Sequence, residues 1–207
     1  MKIYFLTTNR FKVAELEHYA KWRRVTKRHG VELCVVNQDL QEILVPDIKL
    51  IVREKAVEAY GHMGLPCVVE HGGIFMKALP GLPGSVGKIV WDAVGDRICG
   101  FLRDTDSRQA TVKSYLGYCD GKDVRVYEGV TRGRIADRAR GRYKFAWDPI
   151  FIPEDDARTY GEMGLVDKRH TSPAYRAWDK FFAAEGKRLA ARRAPDRATV
   201  RRPTNRS

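Results

Sequence analysis

The sequence has no apolar run close to the roughly 20 residues that a membrane-spanning helix requires. Its N-terminal stretch turns polar after five apolar-leaning positions, which is too short for the apolar region of a secretory signal. Both absences exclude an integral membrane protein and an exported one. We therefore expect a soluble protein of the cytoplasm.

Cysteine is scarce as well. The four cysteines, Cys34, Cys67, Cys99 and Cys119, lie far apart and form no C-x-x-C pair. This spacing excludes the usual zinc-binding patterns and a disulfide framework. We expect buried, reduced thiols.

The C-terminus has few apolar residues and much positive charge. Residues 187–207 contain eight Lys or Arg against one acid, Asp196, so they carry +7 of the net charge of +12. Such a segment buries too little surface to offset its ordering entropy, and we predict one domain over residues 1–189 followed by a basic, disordered tail over 190–207. The tail lacks the interleaved aromatics of a nucleic-acid-binding segment, so nucleic acid is an unlikely partner.

The pattern of apolar residues predicts an α/β protein. Strands are indicated at residues 2–6, 31–37 and 66–70, with helices at 11–28 and 47–62 between them. Two later strands, 110–119 and 124–135, are joined by Asp120-Gly121, a strong hairpin signal. A last helix is predicted over 173–191. Strands and helices alternate in the first part of the chain, and a hairpin follows later. This order favours a mixed central sheet flanked by helices, in two lobes with a nucleotide cleft between them.

The junction of the first strand and helix has the character of a phosphate site. Thr7, Thr8 and Asn9 precede a helix that carries Lys12 in its first turn. Free N–H groups and the helix dipole attract anions at such a point. Ordinary capping by Thr8 or Asn9 beside a solvated lysine is the alternative.

Lys55 lies three or four residues from Ile51, Val52 and Ala59, on the apolar face of its helix. A lysine in that position either extends to the rim of the protein or contacts a bound phosphate. Carboxylates flank this helix in sequence, with Asp39 and Glu42 before it and Glu70 after it. They are either surface charges or ligands for Mg²⁺, which takes one or two protein carboxylates plus substrate phosphates.

The run Phe145-Ala146-Trp147-Asp148-Pro149 places two aromatic rings beside a carboxylate. Such rings can stack on a base, and the carboxylate can accept hydrogen bonds from the N–H edge of that base. The alternative is that both rings belong to the hydrophobic core. A short segment that follows could close over the same ligand through Lys168, His170, Ser172 and Arg176.

Over about residues 3–180, the order of these motifs resembles the inosine triphosphate pyrophosphatase family, whose members hydrolyse non-canonical purine triphosphates to monophosphate and pyrophosphate. The resemblance rests on motifs that occur in the family's order, namely Thr7 to Glu15, Asp39 to Glu42, Lys55, Ala78 to Gly84, Gly129 to Ile135, Arg140-Gly141, Phe145 to Phe151, Thr159 to Met163 and Lys168. It implies a homodimer that binds a nucleoside triphosphate and uses Mg²⁺ or Mn²⁺.

The resemblance also implies roles for single residues. The catalytic residues are Lys55, Glu70 and His71, and the metal ligands are Glu42 and Glu70. The substrate-binding residues are Thr7, Thr8, Asn9, Lys12, Lys55, Phe145, Trp147, Asp148, Lys168 and Ser172.

The chain departs from the family pattern at two places. The family's catalytic aspartate follows the strand glutamate, whereas this chain has His71 after Glu70. A neutral imidazole can accept a proton but is a poor ligand for Mg²⁺. The family's Ser-His-Arg, which reads the 6-keto purine edge, is replaced by Ser172-Pro173-Ala174, so a different base preference is expected.

Two hypotheses follow. In the first, the protein is a metal-dependent nucleoside triphosphate pyrophosphatase in which His71 activates water. In the second, it binds a nucleotide without hydrolysing it and acts as a sensor or a partner, because losing a general base and a metal ligand costs several orders of magnitude in rate.

Overall fold

A computed structural model describes residues 1–102 and 107–191 of the chain. The strands are β1 Lys2–Leu6, β2 Glu32–Val36, β3 Cys67–Met76, β4 Pro83–Gly84, β5 Gln109–Cys119, β6 Val124–Ile135 and β7 Phe151–Pro153. The helices are α1 Arg10–Arg23, α2 Val25–His29, α3 Ile48–Met63, α4 Gly87–Val94, α5 Tyr160–Lys168 and α6 Pro173–Ala191, with a 3₁₀ helix over Gly95–Phe101.

The seven strands form one mixed sheet in the order β2-β1-β3-β5-β6-β7, with the short β4 paired to β3. β1 runs parallel to β2 and β3, and every later pairing is antiparallel. The predicted class, a mixed sheet flanked by helices, is confirmed. The predicted hairpin is confirmed as well, because β5 and β6 pair from Cys119 and Val124 back to Gln109 and Arg134.

The single helix predicted over residues 11–28 is wrong in its length. Arg24 adopts the left-handed conformation at φ 53°, and its N–H caps α1 by donating to the carbonyls of Ala20 and Lys21. The chain then restarts as α2, which ends at Gly30 with φ 61°. Helical periodicity continues across such a break, so the pattern of apolar residues did not indicate it.

The third strand is twice as long as the sequence predicts. β3 continues through Glu70 and His71 to Met76, and its ladder with β5 is unbroken from Cys67–Cys119 to Met76–Ala110. His71 therefore lies within a strand and not on a loop after it. The sequence predicts that the strand ends at residue 70, but the long partner strand β5 keeps the backbone extended to Met76.

Helices cover both faces of the sheet. On one face α1 and α6 pack with Phe5, Val68 and Trp178 in an aromatic-rich core. On the other face α3 covers Val69 and Tyr115. A third buried cluster lies around Ile74, Phe151 and Tyr160, where α4, β7 and α5 meet the far ends of β3 and β5. Val68 and Val69 lie on opposite faces, because successive side chains of a strand alternate. Even-numbered residues of β3 therefore face α1 and α6, and odd-numbered ones face α3.

None of the four cysteines forms a disulfide. Among the helices of the described residues, none is long and apolar enough to cross a membrane. The predicted tail over 190–207 lies outside the described residues except for the last two residues of α6.

Candidate active site

A cavity of about 470 Å³ opens beside the C-terminal end of β1, the first turn of α1 and the middle of β3. Every residue to which the family resemblance assigns a catalytic, metal-binding or substrate-binding role lies on its wall. These residues are Thr7, Thr8, Asn9, Lys12, Glu42, Lys55, Glu70, His71, Phe145, Trp147, Asp148, Lys168 and Ser172. Residues that are up to 165 positions apart in sequence are thus brought to one place, which is the geometric condition for a shared function.

The first turn of α1 forms part of this wall. Asn9 is the N-cap of the helix, and its Oδ1 accepts from the N–H groups of Phe11 and Lys12 at 3.0 and 3.4 Å. Thr7 Oγ1 in turn accepts from the Asn9 N–H at 3.1 Å. The capping alternative is therefore confirmed for Asn9, and it leaves the Lys12 side chain as the charged group that this turn presents to the cavity.

Lys12 is held in the cavity by a backbone acceptor. Its Nζ donates to the carbonyl oxygen of Glu70 at 2.8 Å. Burial lowers the pKa of Lys12, and the nearby Lys55 ammonium lowers it further, although Glu70 and Glu42 oppose this shift. An ammonium whose charged form is disfavoured in this way gains stability from any anion that enters the cavity.

Lys55 does face the interior, as its place on α3 predicts, and it is buried. Its Nζ donates to Glu42 Oε1 at 2.5 Å. Together, the His71 ring and the Lys55 ammonium hold the pKa of Glu42 well below its usual range. Glu42 is thus a carboxylate that stays ionised and occupies the ammonium that the sequence assigns to a phosphate.

His71 is buried between two polar groups. Its Nε2 lies 2.8 Å from the carbonyl oxygen of Ser85, and its Nδ1 lies 3.6 Å from Glu42 Oε1. Ser85 is held in turn, because its hydroxyl donates to the carbonyl of Val45 at 2.7 Å. The ring is therefore fixed between the segment that follows β4 and the segment that precedes α3.

Glu70 points to the opposite face of β3. Its Oε1 accepts from the Ser114 hydroxyl of β5 at 2.8 Å, and both residues are buried. Ser114 pairs with Gly72, which has the same parity as Glu70 and the opposite parity from His71. Within residues 1–102 and 107–191, no three His, Cys, Asp or Glu side chains form a group that would hold a metal ion.

Lys168, Asp148 and Glu15 form a second charged group. All three are buried, whereas Glu42 in the group around Lys55 is partly exposed. Lys168 Nζ donates to Asp148 Oδ2 at 2.7 Å and to Glu15 Oε1 at 2.6 Å, and all three side chains are buried. Burial raises the pKa of Asp148 to about 7 and also raises the pKa of Glu15, since two carboxylates share one ammonium. Although burial opposes it, the pair of carboxylates raises the pKa of Lys168.

Aromatic rings enclose this ammonium. Lys168 Nζ lies 5.3 Å from the ring centre of Phe145 and 4.9 Å from that of Tyr160. Phe145 itself stacks on Phe11 at 5.3 Å, so one of its faces is occupied by the protein. Trp147 packs beside Gly87, where a Cβ atom would approach the indole to 2.9 Å.

Several site residues are not identified from the sequence. Glu15 is the third member of the Lys168 group, and Lys88, Lys113 and Ser114 also line the cavity. Glu15 had a signal, because it lies three residues after Lys12 on the same face of α1. Lys88, Lys113 and Ser114 had no such local signal, because only the tertiary fold brings α4 and β5 to the cavity.

The segment before α6 forms an apolar part of the wall. Ser172 Oγ accepts from the Tyr175 N–H, Pro173 begins the helix, and both Pro173 and Ala174 line the cavity. Arg176 does not reach the cavity, because it is exposed and donates to the carbonyl of Val130 at 2.6 Å. His170 is not among the lining residues either; it packs edge-on against Trp22.

Solved structures define the class of the protein. The HAM1 protein of Coxiella burnetii superposes with a TM-score of 0.72 at 20% identity, over 90% of this chain and 99% of that one. The dITP/XTP pyrophosphatase of Mycobacterium abscessus superposes with a TM-score of 0.63 at 27% identity, over 89% and 97%. The protein is an α/β protein with the HAM1 fold.

Sequence comparison then gives the family. The Ham1 family profile matches residues 3–184. The dITP/XTP pyrophosphatase of Methanopyrus kandleri is 34% identical over 184 residues, which cover 87% of this chain and 94% of that protein. That of Saccharolobus solfataricus is 34% identical over 182 residues, covering 87% and 92%. The chain belongs to the Ham1 family.

Proposed function

We propose that the protein hydrolyses a nucleoside triphosphate to the monophosphate and pyrophosphate in a reaction that needs a divalent metal ion. One observation carries the proposal. A single cavity combines two lysines suited to phosphates, the half-buried Lys12 and the buried Lys55, with a carboxylate and aromatic rings suited to a base, Asp148, Phe145 and Trp147. The names of the relatives, dITP/XTP pyrophosphatases, support the same reaction.

The triphosphate is bound by Lys12 and Lys55 together with the donors of Thr7, Thr8 and Asn9. To take a phosphate, Lys55 leaves Glu42, which its four-carbon stem allows. Water then attacks the α-phosphorus, and the bond between that phosphorus and the bridging oxygen breaks. Pyrophosphate leaves with the bridging oxygen, and the two lysines offset the charge that develops on it.

The base is held by Asp148, Lys168, Ser172 and the rings of Phe145 and Trp147. Asp148 accepts from the N–H edge of the base, while Lys168 keeps that carboxylate in place. The apolar wall at Pro173 offers no side-chain hydrogen bond, so the base need not be hypoxanthine or xanthine.

A metal ion would supply charge neutralisation and polarisation of the phosphate oxygens. The donor set fits such an ion, because Glu42 is ionised, partly solvent-exposed and faces the cavity. Glu70 stays the predicted second ligand, although its Oε1 accepts from the Ser114 hydroxyl. The use of Mg²⁺ or Mn²⁺, the homodimer and the location in the cytoplasm stay predictions.

His71 presents Nδ1 to the cavity, because its Nε2 contacts the carbonyl oxygen of Ser85. In the prediction from sequence, this ring accepts a proton from the attacking water. Glu42 lies 3.6 Å from Nδ1 and is placed to stabilise the imidazolium that this transfer produces.

The test is an assay of purified protein against canonical and modified nucleoside triphosphates with Mg²⁺, Mn²⁺ or Co²⁺. We expect equal amounts of monophosphate and pyrophosphate, with oxygen from ¹⁸O-labelled water in the monophosphate. Tight binding without any product would instead favour the non-hydrolysing nucleotide-binding protein. Release of inorganic phosphate alone would contradict cleavage between the α- and β-phosphates.

A further inference from the structure

Glu15 is the member of the buried charged group that makes no proposed contact with the nucleotide. It lies in α1, one turn after Lys12, and both residues line the cavity. Only 4% of Glu15 is exposed, and its Oε1 accepts from Lys168 Nζ at 2.6 Å. A buried carboxylate costs stability unless it is paired, and Lys168 supplies the pair. Any influence of Glu15 on the site therefore passes through Lys168.

Two carboxylates compete for this one ammonium. Lys168 Nζ also donates to Asp148 Oδ2 at 2.7 Å, and no other described residue donates to the Asp148 side chain. With Asp148 alone, the lysine would form a neutral pair and could engage both oxygens of that carboxylate. With Glu15 present, the three ionised groups keep an uncompensated negative charge. Asp148 thus retains Oδ1 and part of its charge for a further donor.

The pKa of Asp148 reflects this excess charge. Burial, together with the Glu15 charge, raises the pKa of Asp148 to about 7, although Lys168 opposes both. An oxygen that binds a proton tightly also accepts strongly from an N–H group, because both contacts offset the same negative charge. The edge of a base provides such N–H groups.

We propose that Glu15 is a positioning residue for base recognition, because it shares the Lys168 ammonium with Asp148 and so keeps Asp148 Oδ1 free and negatively charged for the N–H edge of the base. The inference rests on the proposed function and adds a residue to its base-binding end. In a purely structural role, Glu15 would balance the charge of Lys168 and have no influence on how the base binds.

Helix α1 also fixes Glu15 relative to the phosphate end of the cavity. Lys12 and Glu15 are three residues apart on one face of the helix, which corresponds to about 4.5 Å along its axis. The start of the helix is held by the Asn9 cap, and Lys12 Nζ by the carbonyl oxygen of Glu70. A change confined to the Glu15 side chain should therefore affect the base and leave the phosphates in place.

The test compares two ligands of the full-length protein at one Mg²⁺ concentration. The first is the α,β-methylene analogue of guanosine triphosphate, which cannot be cleaved at that bond and has N–H groups on its base. The second is inorganic tripolyphosphate, which has no base. In Glu15→Gln, which keeps the size and removes the charge, calorimetry should show at least about tenfold weaker binding of the analogue and a change within about threefold for tripolyphosphate.

Glu17→Gln is the matched control, because Glu17 is exposed on the same helix and does not line the cavity. It should leave both affinities unchanged. Should Glu15→Gln fail to fold, Glu15→Asp replaces it, since the shorter stem withdraws the carboxylate from Lys168. We then expect at least about threefold weaker binding of the analogue and no change for tripolyphosphate.

A double-mutant cycle shows whether Glu15 acts through Asp148. In an Asp148→Asn background the carboxylate that Glu15 supports is gone, so Glu15→Gln should change the affinity of the analogue by less than about threefold. Kinetics with guanosine triphosphate give a further readout. We expect Glu15→Gln to raise KM and to keep kcat within about threefold, as a contact that is equally strong before and during the reaction does.

Equal weakening of both ligands in Glu15→Gln, or no weakening of either, overturns the inference and leaves the proposed function in place. An undiminished effect of Glu15→Gln in the Asp148→Asn background overturns it as well. So does a wild type that binds the analogue no more tightly than tripolyphosphate, since the base then adds nothing. If the wild type binds neither ligand, the inference and the proposed function are both wrong.

Discussion

Lys55 and Glu42 form an ion pair in which Nζ lies 2.5 Å from Oε1, although they are on different segments, α3 and the loop that precedes it. The lysine is buried and the glutamate is two-fifths exposed. The cavity therefore already holds an anionic group on the lysine that the sequence assigns to a phosphate. A triphosphate must compete with Glu42 for this ammonium.

Replacing Lys55 with alanine should weaken triphosphate binding at least about tenfold, since a charge-assisted contact to a phosphate contributes about 1.5 to 3 kcal/mol. The affinity of an uncleavable analogue is measured by calorimetry. Lys49→Ala is the matched control, because Lys49 is exposed in the first turn of the same helix and does not line the cavity. Unchanged affinity in a folded Lys55→Ala variant would place the phosphates elsewhere.

The sequence predicts correctly those features of the site that depend on neighbours within a single helix. The spacing of Ile51, Val52 and Ala59 predicts that Lys55 faces the interior. In the structure all four residues are buried on one face of α3. The position of Asn9 before a helix also followed from local chemistry. In both cases the informative neighbours lie within one helical turn.

The pairings inside the cavity were not predictable, because they depend on long-range topology. Lys168 and Glu15 are 153 positions apart in the chain. The predicted third strand ends at Glu70, whereas the ten-residue ladder between β3 and β5 keeps His71 in a strand. That placement turns His71 and Glu70 to opposite faces, which no local pattern indicates.

Inosine triphosphate should be a poor substrate relative to the best nucleotide in the assay. Pro173 and Ala174 line the cavity without donors or acceptors in their side chains, and Arg176 is held away by Val130. Unpaired polar atoms on the base cost binding energy, so kcat/KM for this nucleotide should be lower by at least about tenfold. Steady-state kinetics under matched conditions measure it. A ranking with inosine or xanthosine triphosphate first would contradict the idea.

The buried group of Glu15, Asp148 and Lys168 should make stability depend on pH. Burial raises the pKa of Asp148 from 3.8 to about 7, so the folded protein holds this proton more tightly than the unfolded chain. The stability from that proton is complete below the unfolded value and is lost as pH rises from about 4 to about 7. Asp148→Asn keeps a neutral side chain and removes this dependence. Relative to wild type, its free energy of unfolding should rise across that interval.

Urea unfolding at several pH values between 4 and 8 measures the difference. Asp155→Asn serves as the control, because Asp155 is exposed and outside the cavity. Its difference from wild type should stay constant with pH. A constant difference for Asp148→Asn as well would show that Asp148 ionises as readily in the folded protein as in the unfolded one.

We expect the close contact between Gly129 and the start of α6 to position the apolar wall of the cavity. Gly129 of β6 lies directly under the start of α6, and a Cβ atom there would lie 1.8 Å from the carbonyl oxygen of Pro173 and 2.7 Å from the Ala177 nitrogen. Both are backbone atoms, so the helix itself must move. Gly129→Ala should cost about 1 to 3 kcal/mol of stability, as overpacking does, and it should shift Pro173 within the cavity.

Because a displacement of about 1 Å can reduce turnover on the order of a hundredfold, the variant should lose activity under conditions where it stays folded. Gly61→Ala is the control, since Gly61 lies in α3 and no atom lies within 4 Å of its added Cβ. That change should stabilise the protein by about 0.5 to 1 kcal/mol through helix propensity and leave activity unchanged. Chemical unfolding and the pyrophosphate assay are run on both variants. If Gly129→Ala is as stable and as active as wild type, α6 is free to move away from β6, and the close contact does not position the wall.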